Sequence, residues 1–439
     1  MINKQQIKHL IQRRNLSLTE SEVDIQINRL FNEISNNNYD FSTYNRNIIT
    51  QHKKKRIVYD YDKLSCEDIL CQYLKKQIDL VFQVKYASRS KIINIMFNVL
   101  PMIKDMKDFV IIRADFKSFF DTVLVKHIMD KFIIKSSLKR YDKELLEEYA
   151  REFKYCHAGL CLSNSMTEIV CRDFDQKIKA KLYQHGVFFY ERYVDDILII
   201  MNKYITIEKF MDILNSTVRE VFGESPVKLS DDPDKFAYIA KRNINTETIE
   251  KIQFLGYEFE LDFDGNQINF KYGISKKKRD KQSNIIKRAI IDYRSNNNLE
   301  LLRQRIKMYS TRVVIARNIG NSTFNWLTQG IVANYNELQH HIDCLTEDTD
   351  HFLKNIYLNL LSQERISLPY FMVQSRRENS VYNLYSNMKR NRTIIFHESI
   401  GVSRQTLLNW IQKIDSSYFD SGKSYYRIVL DYLEKIKIK

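Results

Sequence analysis

Three aspartates have the residue type and the placement for metal-assisted chemistry. Asp115 closely follows one apolar run, and the adjacent pair Asp195 and Asp196 separates two further apolar runs. Carboxylates beside buried strands are costly unless a cation compensates them. Two Mg²⁺ ions held about 3.5–4 Å apart would compensate these carboxylates and would clamp an in-line phosphoryl displacement. Taken singly, each aspartate is better explained as the cap of a strand or a turn; the combined pattern is not.

Short apolar runs predict the elements that would position these aspartates. The run at 109–112 predicts a buried strand, and the runs at 187–190 and 197–200 predict a β-hairpin with the aspartate pair at its tip. Residues 165–168 have the pattern of a capping box, which predicts that a long helix starts there and ends at Gly186. The aspartates are therefore expected on a sheet that a helix supports.

For most of the rest of the chain the sequence pattern predicts helices. The first ~50 residues predict two amphipathic helices, and a basic run at 53–56 leads into a β-like segment. A second hairpin is predicted around Asp264-Gly265. From the basic run at 276–279 to about Leu361 the pattern is helical, and it is mostly helical again from about Ser367. Mixed helix and strand followed by helix predicts an α+β core with a helical appendage.

Composition and charge favour an intracellular protein with a polyanionic partner. The chain has 439 residues, 69 Lys and Arg against 54 Asp and Glu, a formal net charge of +15 and a pI near 9.2. This charge favours nucleic acid over a membrane as the partner, although biased coding composition would give the same charge. With neither a signal sequence nor a long apolar stretch, a cytoplasmic protein is expected. The presence of only 10 glycines argues against a glycine-rich phosphate loop.

Four local sequences resemble the motifs of reverse transcriptases. The segment Tyr193-Val194-Asp195-Asp196 resembles their YxDD box, and residues 114–121 resemble the first carboxylate motif of bacterial members. Residues 254–259 resemble the primer-grip hairpin, and residues 159–165 stand where the family has a loop that contacts template and nucleotide. The four segments follow the family's order, which makes the combination more specific than the four-residue box alone.

The resemblance implies which residues would bind metal. Asp115, Asp195 and Asp196 match the metal ligands, and the backbone carbonyl of Phe116 matches an accessory ligand. The implied cofactor is a pair of Mg²⁺ ions, for which Mn²⁺ could substitute. Mg²⁺ usually takes one or two protein carboxylates together with substrate phosphates, which suits a site with three aspartates.

The resemblance also implies which residues would contact nucleotide, template and primer. Phe120 matches an aromatic gate that favours dNTPs over rNTPs, with a core phenylalanine as the alternative. Arg56 is the candidate for gripping the triphosphate, and Lys235 resembles a lysine that could protonate pyrophosphate. The implied contacts to template and primer are Ser163, Asn164, Leu255 and Gly256.

One loop departs from the family's pattern. Many reverse transcriptases have Pro-Gln-Gly where this chain has Cys161-Leu162-Ser163. Without that glutamine and glycine, template and base pair would be seated differently, so the departure concerns templating and fidelity. All three carboxylates remain, so catalysis itself is still expected.

The implied fold is an α+β right-hand polymerase in which an antiparallel palm sheet carries the YxDD hairpin. The implied domains are an N-terminal helical extension (1–50), fingers (51–108), a palm (109–273) with a fingers insertion at about 125–158, a helical thumb (274–365) and a helical C-terminal extension (366–439). In the extension, residues 400–410 resemble a helix-turn-helix recognition segment, with a helix pair that packs on the thumb as the alternative.

The implied function is that of an RNA-directed DNA polymerase. Chain length and the altered loop resemble most the defence-associated and abortive-infection reverse transcriptases of bacteria, which implies an antiphage role with a noncoding RNA in the bacterial cytoplasm. The implied partners are an RNA template, a DNA product and dNTPs, without a membrane; a partner protein or a homo-oligomer is compatible with the sequence. The alternatives are a retron-like or intron-derived reverse transcriptase and, from a different class, a catalytically inactive nucleic-acid-binding scaffold.

Overall fold

The computed structural model describes residues 2–51, 54–244, 249–263, 267–320, 322–373 and 380–438. The chain divides into two compact units. The first comprises Met1–Arg14 and Glu20–Glu250, and the second comprises Asn15–Thr19 and Lys251–Lys439. Within the described stretches, no helix combines the length and the apolar character that crossing a membrane requires.

The first unit contains helices and strands in alternation. Its α-helices are α1 (Lys4–Arg14), α2 (Glu20–Ser35), α3 (Cys66–Phe82), α4 (Arg89–Met102), α5 (Val125–Ile128), α6 (Arg140–Glu152), α7 (Cys161–Leu182) and α8 (Ile207–Phe222). Its strands are β1 (Asn45–Gln51), β2 (Lys54–Asp60), β3 (Val110–Asp115), β4 (Val187–Tyr193), β5 (Asp196–Met201) and β6 (Ala237–Ala240).

A four-stranded antiparallel sheet with the strand order β4-β5-β3-β6 forms the centre of the first unit. The apolar residues of β3 and β5 are buried along almost their whole length, as continuous apolar runs predict for central strands. The predicted buried strand and the predicted β-hairpin are therefore confirmed. The predicted stop before the hairpin is also confirmed, since Gly186, with a φ of 63°, closes the short turn that follows α7.

Four phenylalanine rings pack together where β3 ends. Phe116 stacks on Phe119 with ring centres 5.2 Å apart, and it meets Phe174 of α7 and Phe222 of α8 edge-on. Each of the four is at most 3% exposed. Aromatic pairs at such separations contribute about 0.5–1.5 kcal/mol beyond their buried area. The cluster therefore fixes the chain that follows Asp115 against the two helices.

Helix α7 starts earlier than the capping-box pattern predicts, so that prediction is wrong. The helix begins at Cys161, and Leu160 precedes it without a side-chain cap. Leu162 and Met166, in its first turns, are completely buried. Tertiary packing of an apolar face stabilises a helix more than its caps do. The start of α7 is therefore set by burial, and Ser165 lies inside the helix.

The second unit is also mixed. Its α-helices are α9 (Lys276–Asn296), α10 (Leu299–Tyr309), α11 (Ile331–Asn334), α12 (Glu347–Gln363), α13 (Tyr370–Val373), α14 (Leu384–Lys389), α15 (Arg404–Ile414) and α16 (Tyr425–Ile436). Its strands are β7 (Glu250–Phe254), whose first residue belongs to the first unit, β8 (Tyr257–Phe263), β9 (Ile268–Ile274), β10 (Arg312–Ile319), β11 (Ser322–Gln329) and β12 (Thr393–Phe396).

Strands β7, β8 and β9 form one three-stranded sheet of this unit. The antiparallel pairing of β8 with β9 confirms the second predicted hairpin, although its Asp264-Gly265 turn lies outside the described residues. A tight turn at Leu255 and Gly256 joins β7 to β8, and both residues have positive φ (50° and 83°). The segment that resembles a primer grip, 254–259, thus consists of this turn, the last residue of β7 and the first residues of β8.

The third sheet contradicts the predicted helical thumb, whereas its one short strand from the C-terminal extension is compatible with a region predicted to be mostly helical. Strands β10 and β11 form an antiparallel hairpin within 274–365, and β12, from within 366–439, pairs with β10 in parallel. Val313 and Ile315 of β10 are completely buried in the core that the sheet shares with α15 and α16. β-branched residues fit such a half-buried pleated surface better than they fit a helix. The pairing of β12 with β10, which lies about 80 residues earlier in the chain, leaves no signal in the local sequence.

Helix α15 covers most of the segment that resembles a helix-turn-helix. It packs with α10 and α16, and its Leu407 and Ile411 are completely buried in the same core as Tyr432 of α16. The alternative prediction of a packed helix pair therefore describes this segment.

Candidate active site

Asp115 and Asp196 are direct cross-strand partners. Asp115 is the last residue of β3 and Asp196 is the first of β5, and the antiparallel register places them opposite each other. Directly opposite residues have Cβ atoms about 4.5–5.5 Å apart. Tyr193 pairs with Asp196 at the end of the β4–β5 hairpin, so Asp195 lies in the turn between them. The structure thus brings the three predicted aspartates to one end of the sheet.

The turn that carries Asp195 has an uncommon backbone conformation. Val194 has a φ of 59°, in the left-handed region that β-branched residues rarely adopt. Such a residue costs about 1–3 kcal/mol and persists where its surroundings fix it. The amide of Phe116 donates to the carbonyl of Asp195 at 3.2 Å, which ties the turn to the end of β3.

Burial and mutual repulsion raise the pKa of two of the three carboxyls. Burial, followed by the charges of Asp115 and Asp196, raises the pKa of Asp195 to about 6. Burial also raises the pKa of Asp115, which is 5% exposed, while a hydrogen bond from Lys235 opposes that rise. Carboxylates crowded in this way become easier to ionise when a cation binds among them.

Two basic side chains of the protein bind the paired aspartates. The ammonium of Lys235 donates to Asp115 Oδ1. The guanidinium of Arg113 donates to Asp196 Oδ1 at 3.0 Å. Each of the two opposite carboxylates therefore has its own cationic partner, one from β3 and one from the short turn before β6.

Arg113 was not predicted from the sequence. It lies two residues before Asp115 on the same strand, so both side chains point to the same face of the sheet. A second hydrogen bond, of 2.9 Å, runs from Arg113 to the carbonyl of Asp234, next to Lys235. Arg113 thus connects β3, β5 and the turn that carries Lys235. Because alternate residues of a strand face the same side, the spacing of Arg113 and Asp115 could have indicated it from the sequence.

The donor atoms at this end of the sheet suit a hard divalent cation, because carboxylate oxygens are ligands for Mg²⁺ and Mn²⁺. Within the described residues, no three His, Cys, Asp or Glu side chains form a ready metal cluster; Asp115 and Asp196 instead bind Lys235 and Arg113. Asp195 is partly exposed and makes no ion pair in this part of the chain. Asp195, together with Asp115 once Lys235 releases it, therefore fits as the one or two carboxylates that Mg²⁺ usually takes beside substrate phosphates.

Phe120 differs in environment from the phenylalanines near it. Phe119 is a core residue, and Phe116 is buried with it. Phe120 is partly exposed, on a short turn that follows Ser118 in a left-handed conformation (φ 48°). Phe120 therefore has the exposure that a gate requires. The backbone of Phe116 continues from β3 and bridges to Leu229.

The structure distributes the other predicted residues over several elements. Arg56 is exposed on β2, opposite Ile49 of β1, and Lys53 of the same basic run lies outside the described residues. In the first turns of α7, Asn164 is exposed. Ser163 is 1% exposed, and its hydroxyl has no hydrogen-bond partner among the described residues. Asn164 is therefore better placed than Ser163 to contact a template. Leu255 and Gly256 belong to the second unit.

Comparisons with known proteins give structural neighbours only. No protein-family profile and no curated protein matches this chain. An apo telomerase from Candida tropicalis, truncated from its C-terminal domain, aligns with 12% identity and a TM-score of 0.36 over 50% of this chain and 53% of its own. A telomerase from Candida albicans in complex with a TWJ fragment of telomeric RNA aligns with 13% identity and a TM-score of 0.39 over 88% of this chain and 63% of its own. This chain thus spans less than two thirds of either neighbour. Neither TM-score reaches 0.5, so the function is inferred from the residues of the site.

Proposed function

We propose that the chain is an RNA-directed DNA polymerase that transfers nucleotides with the help of two Mg²⁺ ions. The observation that carries this proposal is the register that pairs Asp115 with Asp196 and leaves Asp195 in the adjoining turn. Three carboxylates beside two basic side chains suit a reaction in which an anionic triphosphate is attacked. The reverse-transcriptase-like sequences around the three aspartates point to the same reaction.

Several side chains at this end of the sheet have a role in that reaction. When bound, Mg²⁺ would supply Lewis-acid chemistry, which lowers the pKa of a primer 3′-hydroxyl and neutralises the leaving pyrophosphate. Asp115 and Asp195 would hold the metal. Lys235 is 37% exposed, and its ammonium, once released from Asp115, would donate a proton to the leaving pyrophosphate. Arg113 keeps the carboxylate of Asp196 in place.

Nucleotide and template would meet further residues of the first unit. Phe120, partly exposed beside the carboxylates in sequence, would crowd a ribose 2′-hydroxyl and favour dNTPs. Arg56, exposed on β2, would bind the triphosphate, and Asn164 would face the template. The net charge of +15 supports binding to an RNA template and a DNA product through their phosphates.

The finer assignment that we propose is a bacterial antiphage reverse transcriptase that works with a noncoding RNA. Its support is the resemblance in the Cys161-Leu162-Ser163 departure. The test is phage plating on cells that express the wild-type chain or Asp195→Asn. Protection by the wild type alone would support the role, and equal plaque numbers on both strains would count against it.

One observation favours a second function, that of an inactive nucleic-acid-binding scaffold. Lys235 and Arg113 form ion pairs with Asp115 and Asp196. A scaffold would keep these ion pairs permanently, whereas a polymerase must open at least one of them to bind its metal. Nucleotide incorporation therefore separates the two functions.

The deciding experiment measures dNTP incorporation by the purified full-length chain on an RNA template with a DNA primer. We expect incorporation that requires Mg²⁺ or Mn²⁺, and a loss of about 100-fold or more in Asp115→Asn and Asp195→Asn. Asp212→Asn, an exposed position on α8, is the matched control and should retain the wild-type rate. Inactivity of the wild type with both metals would contradict the polymerase function and favour the scaffold.

A further inference from the structure

Arg192 is a buried arginine at the end of β4, two residues before the uncommon turn. Its side chain is only 5% exposed. The guanidinium makes hydrogen bonds in two directions, toward the carboxylates of α7 and toward the backbone of the turn. The sequence did not predict these hydrogen bonds, although Arg192 is charged and directly precedes the tyrosine of the YxDD-like segment.

On the helix side, Arg192 binds two carboxylates. Glu168 and Asp175 lie seven residues apart on α7, which places them on one face, two turns apart. Glu168 accepts two bonds from the guanidinium, at 3.0 and 2.7 Å. Asp175 accepts from Nε at 2.9 Å and also from the hydroxyl of Tyr190 at 2.6 Å. The guanidinium is therefore fixed on a helix that is itself packed in the core.

On the turn side, Arg192 donates to the carbonyl of Val194 at 2.9 Å. That carbonyl belongs to the peptide group that precedes Asp195. The peptide group that follows Asp195 is held as well, because the amide of Phe116 donates to its carbonyl at 3.2 Å. Both peptide planes that determine where the Asp195 side chain points are thus hydrogen-bonded to groups outside the turn.

The turn needs such support for two reasons. Val194 is in a left-handed conformation that its β-branched side chain disfavours. The carboxylate of Asp195 is also close enough to Asp115 and Asp196 to be repelled by both. Without the bond from Arg192, relaxation of Val194 would change where the Asp195 side chain points, and charge repulsion would favour a larger separation from the other two aspartates.

We propose that Arg192, held by Glu168 and Asp175, is a positioning residue that fixes the Val194 carbonyl and thereby keeps the Asp195 carboxylate where a divalent cation can bind. This inference rests on the proposed function, in which Asp195 is a metal ligand. A guanidinium is suited to the task because its planar fork can bind two carboxylates and a carbonyl at once. A lysine ammonium at the same place cannot span all three acceptors.

The test compares Arg192→Lys with a matched variant, Arg14→Lys. Arg14 binds Asp68 with two bonds of 2.9 and 2.7 Å and joins α1 to α3 in the same unit, so it controls for the loss of a paired arginine. Three quantities are measured on the full-length chain: the melting temperature, the affinity for Mn²⁺ alone by electron paramagnetic resonance, and kcat and KM for single-nucleotide incorporation.

We expect Arg192→Lys to weaken Mn²⁺ binding and to lower kcat by about 10- to 100-fold, with KM for the dNTP within about two-fold. Arg14→Lys should lower the melting temperature but leave Mn²⁺ affinity and kcat at wild-type values. The proposal is overturned if Arg192→Lys has wild-type Mn²⁺ affinity, or if both variants lose affinity equally. Should Arg192→Lys not fold, Glu168→Gln retains the arginine and must show the same selective loss of Mn²⁺ affinity.

The Mn²⁺ measurement separates this inference from the proposed function. A wild-type chain that binds Mn²⁺ but incorporates no nucleotide would contradict the polymerase function, while selective weakening by Arg192→Lys would still support the positioning role. A polymerase whose activity and metal affinity are unchanged in Arg192→Lys would contradict the positioning role alone.

Discussion

The guanidinium of Arg113 lies 3.0 Å from the carboxylate of Asp196. Through this ion pair, one member of the carboxylate group already has a cationic partner within the protein. Asp195, by contrast, makes no ion pair among the described residues. The two neighbouring aspartates are therefore chemically different, although the sequence presents them as an equivalent pair.

This difference predicts unequal effects of two neighbouring substitutions. Asp195→Asn is expected to reduce the rate of nucleotide incorporation by about 1000-fold, because it removes a metal ligand. Asp196→Asn is expected to reduce the rate by only about 10-fold, since a divalent cation must compete with Arg113 for that carboxylate. Single-turnover rates at saturating Mg²⁺ measure both. Equal losses in the two variants would show that Asp196 leaves Arg113 and binds metal as fully as Asp195.

Lys235 is expected to contribute to the chemical step more than to substrate binding. Lys235→Met removes the ammonium that donates to Asp115, and a general acid typically contributes about 100-fold or more to the rate. We therefore predict a fall in kcat of that order with little change in KM for the dNTP, measured in single-nucleotide assays. Lys228→Met is the control, because Lys228 is exposed and pairs only loosely with Asp231, at 3.9 Å. A higher KM with an unchanged kcat would place Lys235 in substrate binding rather than in proton transfer.

The second unit should respond to pH through Lys307 of α10. Burial, with a contribution from Arg303, lowers the pKa of Lys307 to about 8. Burial favours the neutral amine of Lys307, so the folded state has its full stability above the unfolded pKa. As the pH falls through the folded value, the buried amine must be protonated and that stability is lost. The free energy of unfolding should therefore contain a term that decreases as the pH falls from about 10 to 8.

Lys307→Met should remove that term and raise the free energy of unfolding at pH 7 by about 1 kcal/mol. The gain is smaller than burial alone would give, because the ammonium lies 3.5 Å from the centre of the Trp410 ring and this contact favours the charged form. Both tryptophans of the chain, Trp326 and Trp410, lie in the second unit, so denaturant titration followed by fluorescence reports on it. The exposed Lys413→Met is the control, and an identical pH profile in both variants would contradict the assignment.

Local patterns were sufficient to predict the elements that carry the aspartates. The apolar runs before Asp115 and around the Asp195-Asp196 pair are continuous and short, so their strand character follows from period and length. Their consequence, an aspartate pair at a hairpin tip, was also predictable. The pairing of Asp115 with Asp196 was not, because register between distant strands depends on the tertiary fold.

The errors have two physical causes. The start of α7 was misplaced because a capping pattern at residues 165–168 competes with the burial of Leu162 and Met166, and burial prevails. The β10–β11 hairpin is local, and there the apolar pattern was assigned to a helix. Strand β12 was not predicted because its partner, β10, lies far along the chain, where single-sequence periodicity carries no information. The cationic contacts of Arg113 and Arg192 were missed for the same reason, since their acceptors lie on other elements.

Replacing Phe120 by a smaller residue should change sugar selectivity but not stability, whereas replacing Phe119 should change stability but not selectivity. Phe120→Val, at a partly exposed position, is expected to raise incorporation of rNTPs relative to dNTPs by about 10- to 100-fold while leaving the melting temperature unchanged. Phe119→Ala removes a ring that is 3% exposed and stacked on Phe116, so it should lower the free energy of unfolding by about 3–5 kcal/mol without changing sugar selectivity in the fraction that remains folded. Competition assays with paired rNTP and dNTP, together with denaturant titrations, measure both effects. If Phe120→Val instead destabilises the fold and leaves selectivity unchanged, Phe120 is a core residue and the sugar gate must lie elsewhere.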